Sequence, residues 1–175
     1  MGLDSSQLRG FIRDIPDFPK PGVLYRDLTP LLLDAQALRA AVQAVAEPFR
    51  AEPVDCVLGI ESRGFVLGTP VALELGTGLA LVRKKGKLPH DTLSVTYDLE
   101  YGTDTVEMHT DAVTQGQRVL VVDDLIATGG TARAAVELAR QAGAEVLGCA
   151  FLIELTALGG RDRLKVDRVH SVLDY

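Results

Sequence analysis

The sequence contains no tryptophan and only two cysteines among 175 residues. Cys56 and Cys149 share no C-x-x-C or metal-ligand spacing, so the pattern indicates neither a zinc motif nor a disulfide framework, and we expect two reduced core residues. No segment approaches the ~18 consecutive apolar residues of a membrane span, and the N-terminus has no basic stretch followed by an apolar core. These absences predict a cytoplasmic protein without a membrane partner.

Positive charge is also in short supply. The formal net charge is -6, whereas binding to a polynucleotide requires clustered Lys and Arg, so we expect no nucleic-acid partner. One basic cluster does occur, at Arg83, Lys84, Lys85 and Lys87. In an acidic protein such a cluster indicates a small anionic ligand, although solvated charge is the more ordinary interpretation.

Two familiar nucleotide motifs are missing as well. The chain contains neither G-x-x-x-x-G-K-[ST] nor G-x-G-x-x-G, which excludes the P-loop and dinucleotide fingerprints. With 47% hydrophobic and 24% charged residues, the composition is that of an ordinary globular protein. The length predicts a single domain that covers residues 1–175.

The N-terminal segment begins with apolar residues at helical spacing. Those between Leu8 and Ile15 predict a short amphipathic helix that ends before Pro16. Residues 17–27 are too rich in Pro and Gly for regular structure, so we expect a loop that carries apolar side chains.

Short apolar runs and helical segments then alternate. An apolar stripe from Leu38 to Phe49, with Asp34 as N-cap, predicts the first helix of this alternating part of the chain. Later helices are expected from Phe65 to Leu75 and from Thr131 to Ala142, the last one stopped by Gly143. The predicted strands are Val54 to Ile60, Leu79 to Val82, Val119 to Val122, and Val146 to Ile153. Because these runs lack polar alternation, they predict a parallel sheet covered on both faces, and hence an α/β fold.

One stretch breaks the alternation. Between Leu93 and His109, two strand-like runs flank a turn at residues 100–102, which predicts an inserted antiparallel hairpin. Such excursions from a scaffold often act as lids.

The strongest motif is the segment from Val119 to Thr131. A buried strand delivers Asp123 and Asp124 to its carboxyl end, where ligands of open α/β sheets bind. In the following loop, Gly129 and Gly130 let the backbone approach a ligand, and the next helix start points its N–H groups at a phosphate. Carboxylates repel phosphate, so the pair suits a ligand with hydroxyls beside its phosphate. The motif therefore predicts a phosphorylated sugar, whereas Asp-Asp or Gly-Gly alone would indicate only a turn.

Residues 121–131 resemble the signature of the type I phosphoribosyltransferases. Residues 18–22, 61–65, 83–89 and 99–102 resemble, in the same order, segments of the adenine phosphoribosyltransferase family. The similarity extends from about Phe18 to about Gly160. It implies a central, mostly parallel sheet flanked by helices, an N-terminal hood with a base-pocket loop in residues 1–33, and a flexible lid hairpin in residues 85–109.

The resemblance also implies how a phosphorylated sugar would be held. Asp123 and Asp124 would bind its ribose hydroxyls. The residues that would hold its 5′-phosphate are Ala127, Thr128, Gly129, Gly130 and Thr131. Those that would bind pyrophosphate are Ser62, Arg63, Arg83 and Lys87, with Arg63 and Arg83 also serving catalysis. Lys84 and Lys85 fit a solvent-facing position equally well.

The remaining implied residues concern the acceptor base. Leu24, Tyr25 and Arg26 would form the adenine pocket, through stacking on Tyr25 and backbone groups near its neighbours. Glu100 would exchange a proton with the purine ring, and Tyr101 would help to close the lid.

The implied reaction joins adenine to phosphoribosyl pyrophosphate and gives AMP and pyrophosphate, a step of purine salvage. Mg²⁺ is the implied cofactor, held mainly by substrate and water instead of by direct protein ligands. The family also implies a homodimer. Two alternatives stay open, a transferase for another base and a regulatory protein that senses phosphoribosyl pyrophosphate.

Overall fold

The computed structural model describes residues 2–98 and 102–175 of the chain. Its N-terminal elements are helix α1 (Ser5–Arg9), strands β1 (Arg13–Pro16) and β2 (Leu24–Asp27), and helices α2 (Thr29–Leu33) and α3 (Ala35–Ala46). Strands β1 and β2 pair antiparallel with each other and form a separate two-stranded ribbon. We call it the N-terminal ribbon.

This ribbon corrects two predictions. The helix expected up to Pro16 ends at Arg9, and part of the loop expected over residues 17–27 is strand β2. Pairing with a strand eleven residues further along gives the backbone of β1 partners that helical spacing could not reveal. Charge supports the pairing, because Arg13 Nε lies 3.7 Å from Asp27 and Arg26 forms an ion pair with Asp14.

The rest of the chain forms the main sheet and two further helices. In chain order its elements are β3 (Cys56–Ile60), α4 (Arg63–Leu75), β4 (Gly78–Lys84), β5 (Thr92–Asp98), β6 (Thr103–His109), β7 (Arg118–Ile126), α5 (Gly130–Gln141), β8 (Glu145–Glu154) and β9 (Val169–Asp174). Short 3₁₀ turns occur at Glu47–Phe49, Thr156–Leu158 and Arg161–Arg163.

Seven strands of the described chain form one sheet in the order β5-β6-β4-β3-β7-β8-β9. Strands β4, β3, β7, β8 and β9 are parallel neighbours, whereas β6 runs antiparallel to both β4 and β5. The predicted α/β fold with an inserted antiparallel hairpin is therefore confirmed. Strand β9 was not predicted, since its residues carry no distinctive motif.

Burial on both faces explains the apolar runs. In β7, Val119 and Val121 belong to the core beneath α5, whereas Leu120 and Val122 belong to the core beneath α3 and α4. Successive side chains point to opposite faces, so a strand covered twice must be apolar throughout. This layered core fixes the carboxyl ends of β4, β3 and β7 side by side.

The predicted helix signals have the expected physical basis. The Asp34 side chain caps α3 by accepting from the Gln36 and Ala37 amides at 2.9 and 2.8 Å. Helix α5 ends two residues before Gly143. In the described part of the chain, no helix is both long and apolar enough to cross a membrane.

The end of the chain ties the N-terminal elements to the sheet. The ring of Tyr175 lies between two guanidinium groups, at 4.2 Å from Arg9 and 4.0 Å from Arg26. Arg9 also donates a hydrogen bond of 2.6 Å to the Asp174 carbonyl oxygen. The aromatic ring thus holds α1 and β2 against β9.

We predict that Tyr175→Ala lowers the thermal midpoint by roughly 2–8 °C, because two cation–π contacts and their packing are lost. Tyr175→Phe keeps the ring between the two guanidinium groups and serves as the matched control, with a midpoint near that of the wild type. Differential scanning calorimetry measures both. An equal loss in the two variants would show that the hydroxyl, and not the ring, makes the attachment.

Candidate active site

A cleft of about 430 Å³ opens where the parallel strands β4, β3 and β7 end. Its walls come from those three strand ends, from the hairpin and from the start of α5. The lining residues are Glu61, Ser62, Arg63, Lys84, Tyr97, Asp104, Val106, Asp123, Asp124, Leu125 and Thr131. Ligands of open α/β sheets bind at this edge, so the cleft is the candidate site.

Residues 127–131, here called the glycine loop, form a second concavity of about 120 Å³ beside the cleft. Gly129 has φ 78°, a left-handed conformation that glycine adopts without a steric penalty. Helix α5 follows at Gly130 without a capping side chain among the described residues. Amides at an uncapped helix start can donate to an anion, which suits this loop to a phosphate group.

Gly160 supports the glycine loop from behind. A Cβ atom on Gly160 would lie 2.2 Å from the Ala127 carbonyl oxygen, and one on Gly129 would lie 2.5 Å from the Gly160 carbonyl oxygen. The two backbones can approach this closely only because neither residue has a side chain. The loop conformation therefore depends on a segment that sequence reasoning did not include.

Asp123 and Asp124, here called the acid pair, lie at the end of β7 and face the cleft. Asp124 is only 4% exposed. Its Oδ2 atom lies 2.7 Å from Arg63 Nε, but the direction is not that of a hydrogen bond, and the described residues offer this oxygen no donor. The pair thus has unused capacity to accept hydrogen bonds from hydroxyls or to face a cation.

Burial and mutual repulsion make this pair hard to ionise. Burial first, and then the charge of Asp124, raise the pKa of Asp123 well above its ordinary value. Burial also raises the pKa of Asp124, against the opposing charge of Arg63. A ligand that supplies hydroxyl donors or positive charge would relieve both effects.

Arg63 connects the acid pair with the N-terminal ribbon. Its guanidinium group pairs with Asp124 and donates a hydrogen bond to the Tyr25 hydroxyl. The Tyr25 ring packs edge-on against Phe18, with ring centroids 5.1 Å apart. Phe18 and Leu24 are half exposed, so the ribbon carries apolar surface near Arg63, although none of Phe18, Leu24 and Tyr25 lines the cleft itself. A flat aromatic ligand would find rings and a cation here.

Arg26 takes a different direction from its neighbour. Successive residues of a strand point to opposite faces, and while Tyr25 contacts Arg63, the Arg26 side chain turns to Asp14 and Tyr175. Any contact between Arg26 and a ligand beside Tyr25 must therefore use its backbone.

The side chains of the basic cluster have different surroundings. Arg83 is bound by neighbouring protein groups, whereas Lys84 faces the cleft. Arg83 contacts both carboxylate oxygens of Glu61 at 3.3 Å and donates to the Lys87 carbonyl oxygen at 3.1 Å. Burial acts to raise the pKa of Glu61, but the Lys84 amide and Arg83 outweigh it and lower that pKa. In the described structure, Lys84 is the member of the cluster that lines the cleft, although Arg83 and Lys87 were favoured from the sequence.

The other predicted residues are distributed as follows. Ser62 lies at the cleft, after a cis peptide bond from Glu61, and precedes the first turn of α4. Glu100 and Tyr101 lie outside the described residues, and the last described pair of the hairpin is Asp98 with Thr103.

Sequence reasoning missed three further polar residues of the cleft, Glu61, Tyr97 and Asp104. The Tyr97 hydroxyl lies 3.0 Å from Thr131 Oγ1 and 3.4 Å from Asp104 Oδ2. Lys84 Nζ lies 3.1 Å from the same Asp104 oxygen. The strand-like runs on either side of residues 100–102 predict the hairpin. They do not say which face of the hairpin contacts the glycine loop.

Comparison with known families gives one extensive match. Residues 32–174 match the family model described as a phosphoribosyl transferase domain. An adenine phosphoribosyltransferase of Methylococcus capsulatus is 56% identical over 169 residues, which cover 97% of this chain and 99% of that protein. One from Methylobacterium sp. (strain 4-46) is 58% identical, over 91% of this chain and 88% of the relative.

Solved structures are equally similar. The crystal structure of adenine phosphoribosyltransferase from Rhodothermus marinus has 54% identity and a TM-score of 0.93, covering 98% of each chain. That of the Saccharomyces cerevisiae enzyme, complexed with an imino-altritol bisphosphate and adenine, has 38% identity and a TM-score of 0.92, covering 97% of this chain and 98% of that one.

The raised pKa of Asp123 gives a prediction about stability. The unfolded chain loses this proton at a lower pH than the folded protein, so folding is progressively disfavoured as the pH rises above about 4. Without ligands, Asp123→Asn should raise the thermal midpoint by about 2–4 °C for each kcal/mol of unfavourable electrostatic free energy that it removes. The increase should be larger at pH 7 than at pH 4. Turnover should fall roughly ten- to hundredfold, the loss of one hydrogen bond to a charged group.

Thermal melts across that pH range and steady-state rates test this expectation. A lower midpoint at pH 7 than for the wild type would contradict the repulsion, and an unchanged rate would remove Asp123 from the site.

A second prediction concerns the first turn of α4. A Cβ atom on Gly64 would lie 2.8 Å from Asp123 Oδ1 and 2.9 Å from the Val122 carbonyl oxygen. Gly64→Ala should therefore displace the acid pair and lower turnover by about tenfold or more.

Gly68→Ala, one turn later in α4, is the matched control. Its nearest contact would be the flexible end of the Leu79 side chain at 3.2 Å, so steady-state assays should find nearly normal activity. Equal activity of the two variants would show that the turn tolerates a side chain.

Proposed function

This chain belongs to the phosphoribosyltransferase family, and we propose that it acts as an adenine phosphoribosyltransferase. The reaction transfers the 5-phosphoribosyl group of phosphoribosyl pyrophosphate to adenine and gives AMP and pyrophosphate, a step of purine salvage. The acid pair beside the glycine loop is the observation that carries this proposal. Carboxylates next to open amides suit a sugar whose hydroxyls adjoin a phosphate.

The ribose 5-phosphate part spans these two features. Asp123 and Asp124 accept hydrogen bonds from the ribose hydroxyls, which gives the buried Asp124 Oδ2 the donor that it lacks among the described residues. The glycine loop holds the 5′-phosphate through its backbone amides and through the hydroxyls of Thr128 and Thr131.

The pyrophosphate lies at the other end of the cleft. We assign its binding to Ser62, Arg63, Arg83 and Lys87, and we add Lys84 because it lines the cleft. Cations held at fixed positions stabilise the charge that develops on the leaving group better than mobile ones do. Arg63 and Arg83 are suited to this catalytic task because Asp124 and Glu61 hold their guanidinium groups.

The donor set of the cleft also fits Mg²⁺. Asp124 Oδ2 is buried without a hydrogen-bond donor among the described residues, and Mg²⁺ prefers carboxylate and water oxygens. As the resemblance implies, Mg²⁺ would be held mainly by substrate and water, and the acid pair would act through substrate hydroxyls and water. When bound, Mg²⁺ neutralises charge on the leaving pyrophosphate.

Adenine binds next to the N-terminal ribbon. The exposed apolar surface of Leu24 and the Tyr25 ring offer a stacking face, and the backbone of Leu24 and Arg26 reads the edge of the base. Glu100 is the carboxylate that exchanges a proton with a ring nitrogen. Tyr101 helps the hairpin of residues 85–109 to cover the ligands as a lid.

The bond changes follow from this arrangement. The bond from C1′ to the pyrophosphate oxygen breaks while the bond from C1′ to adenine N9 forms, and the sugar carries positive charge in between. The base gives up one proton, and pyrophosphate leaves with the bonding electron pair. Exclusion of water by the lid prevents hydrolysis of the activated sugar.

We also propose a homodimer in the cytoplasm. The exposed apolar side chains Leu33 and Leu73 are available for contact with a second copy of the chain. Two free, buried cysteines, Cys56 and Cys149, suit a reducing compartment.

The base specificity is tested by incubating the protein with Mg²⁺, phosphoribosyl pyrophosphate and, in turn, adenine, hypoxanthine, guanine, xanthine and orotate. Chromatography should detect AMP with adenine and no nucleotide with the other bases. Product formed only with another base would replace adenine, and binding without any product would indicate a sensor in place of an enzyme.

Glu100→Gln should lower kcat by about 10²–10⁴-fold, because it removes the proton exchange while it leaves the size of the side chain unchanged. The dissociation constant for phosphoribosyl pyrophosphate should change little. Asp98→Asn, which alters an exposed acid two positions earlier, is the control and should keep normal turnover. Normal kcat in Glu100→Gln would assign the proton transfer to another group.

A further inference from the structure

Tyr97 connects the hairpin with the glycine loop. The residue is only 5% exposed, although it lies on β5, close to the end of the hairpin. A Cβ atom on Gly130 would lie 3.2 Å from the Tyr97 ring, and the Tyr97 hydroxyl lies 3.0 Å from Thr131 Oγ1. One side chain of the hairpin thus contacts the last two residues of the loop.

The hydrogen bonds of Tyr97 can be arranged in two ways, because a hydroxyl has one proton to donate. If Tyr97 donates to Asp104 Oδ2 at 3.4 Å, its oxygen accepts the proton of Thr131. If Tyr97 donates to Thr131, the Thr131 proton is free for a third group. Burial raises the pKa of Tyr97, so the phenol keeps its proton at neutral pH.

A phosphate at the glycine loop would select the second arrangement. A phosphate oxygen accepts the Thr131 proton, and the Thr131 oxygen then accepts from Tyr97. The bond from Tyr97 to Asp104 is lost, and Asp104 keeps its ion pair with Lys84, at 3.1 Å on the cleft wall.

From these contacts we propose that Tyr97 is a positioning residue, whose hydroxyl orients Thr131 toward the 5′-phosphate and docks the end of β5 on the occupied loop. Only Asp98 and Leu99 separate Tyr97 from Glu100 in the sequence. This inference rests on the proposed function, since it requires a 5′-phosphate at Thr131.

Tyr97→Phe tests the proposal, because it removes the hydroxyl and keeps the ring packed on Gly130. We expect KM for phosphoribosyl pyrophosphate to rise roughly two- to tenfold and KM for adenine to stay within about twofold, with a fall of only a few degrees in the thermal midpoint from the lost hydrogen bond. A purely structural role would instead alter both KM values together.

Thr96→Val is the matched control. It removes the hydroxyl of the preceding residue, which bonds Thr105 Oγ1 at 2.8 Å on the exposed side of the same two strands. Both KM values should stay at the wild-type level. A rise in this control equal to that in Tyr97→Phe would show a general effect of the hairpin and overturn the proposal.

A double-mutant cycle with Thr131→Val separates the inference from the function on which it rests. Thr131→Val should raise KM for phosphoribosyl pyrophosphate, and Tyr97→Phe should add no further rise in that background. If Thr131→Val leaves this KM unchanged, the phosphate assignment itself fails. If Thr131→Val raises it, but Tyr97→Phe alone does nothing or the two effects multiply independently, the role of Tyr97 is refuted and the phosphate assignment stands.

Discussion

Two carboxylates, Asp123 and Asp124, lie side by side at the end of a buried strand. Most of the site follows from their need for hydrogen-bond donors or positive charge nearby. Neither can ionise cheaply, because burial and mutual repulsion both favour the neutral form. Arg63 offers partial compensation at 2.7 Å, and it is itself fixed by Tyr25 of the N-terminal ribbon. The remaining compensation for their charge must come from a ligand. The acid pair therefore lowers the stability of the free protein and raises its affinity for the ligand.

The parallel sheet makes this concentration of charge tolerable. Val119 to Val122 of β7 are covered on both faces, and beyond them the acid pair lines the cleft while Ile126 returns to the core. Neighbouring strand ends contribute cations there, and the antiparallel hairpin extends from β4 to form the opposite wall. One rigid layer thus aligns groups from three separate segments of the chain, which is what preorganisation of a charged site requires.

How far the sequence predicts this arrangement depends on the range of the interactions. The strands, the capped helix α3 and the loop after Asp124 follow from local patterns, and the structure contains them. The strand Arg13–Pro16 does not, because its partner β2 lies eleven residues further along and the helical spacing of Leu8 to Ile15 is an equally good local pattern. Neighbouring residues such as Arg83 and Lys84 are similarly ambiguous, since spacing says that they face opposite ways but not which way the cleft lies. The contacts of Tyr97, Gly160 and Tyr175 join distant segments, and no local signal reveals them.

The close approach of Gly160 to the glycine loop has a practical side. Its backbone touches Ala127 and Gly129 from the rear, away from the concavity in which a ligand would lie. An isotope label in the Gly160 amide would therefore sense movement of the loop by its chemical shift without meeting the ligand. The Gly160 amide can therefore report whether a ligand occupies the glycine loop, without altering any group that the ligand contacts.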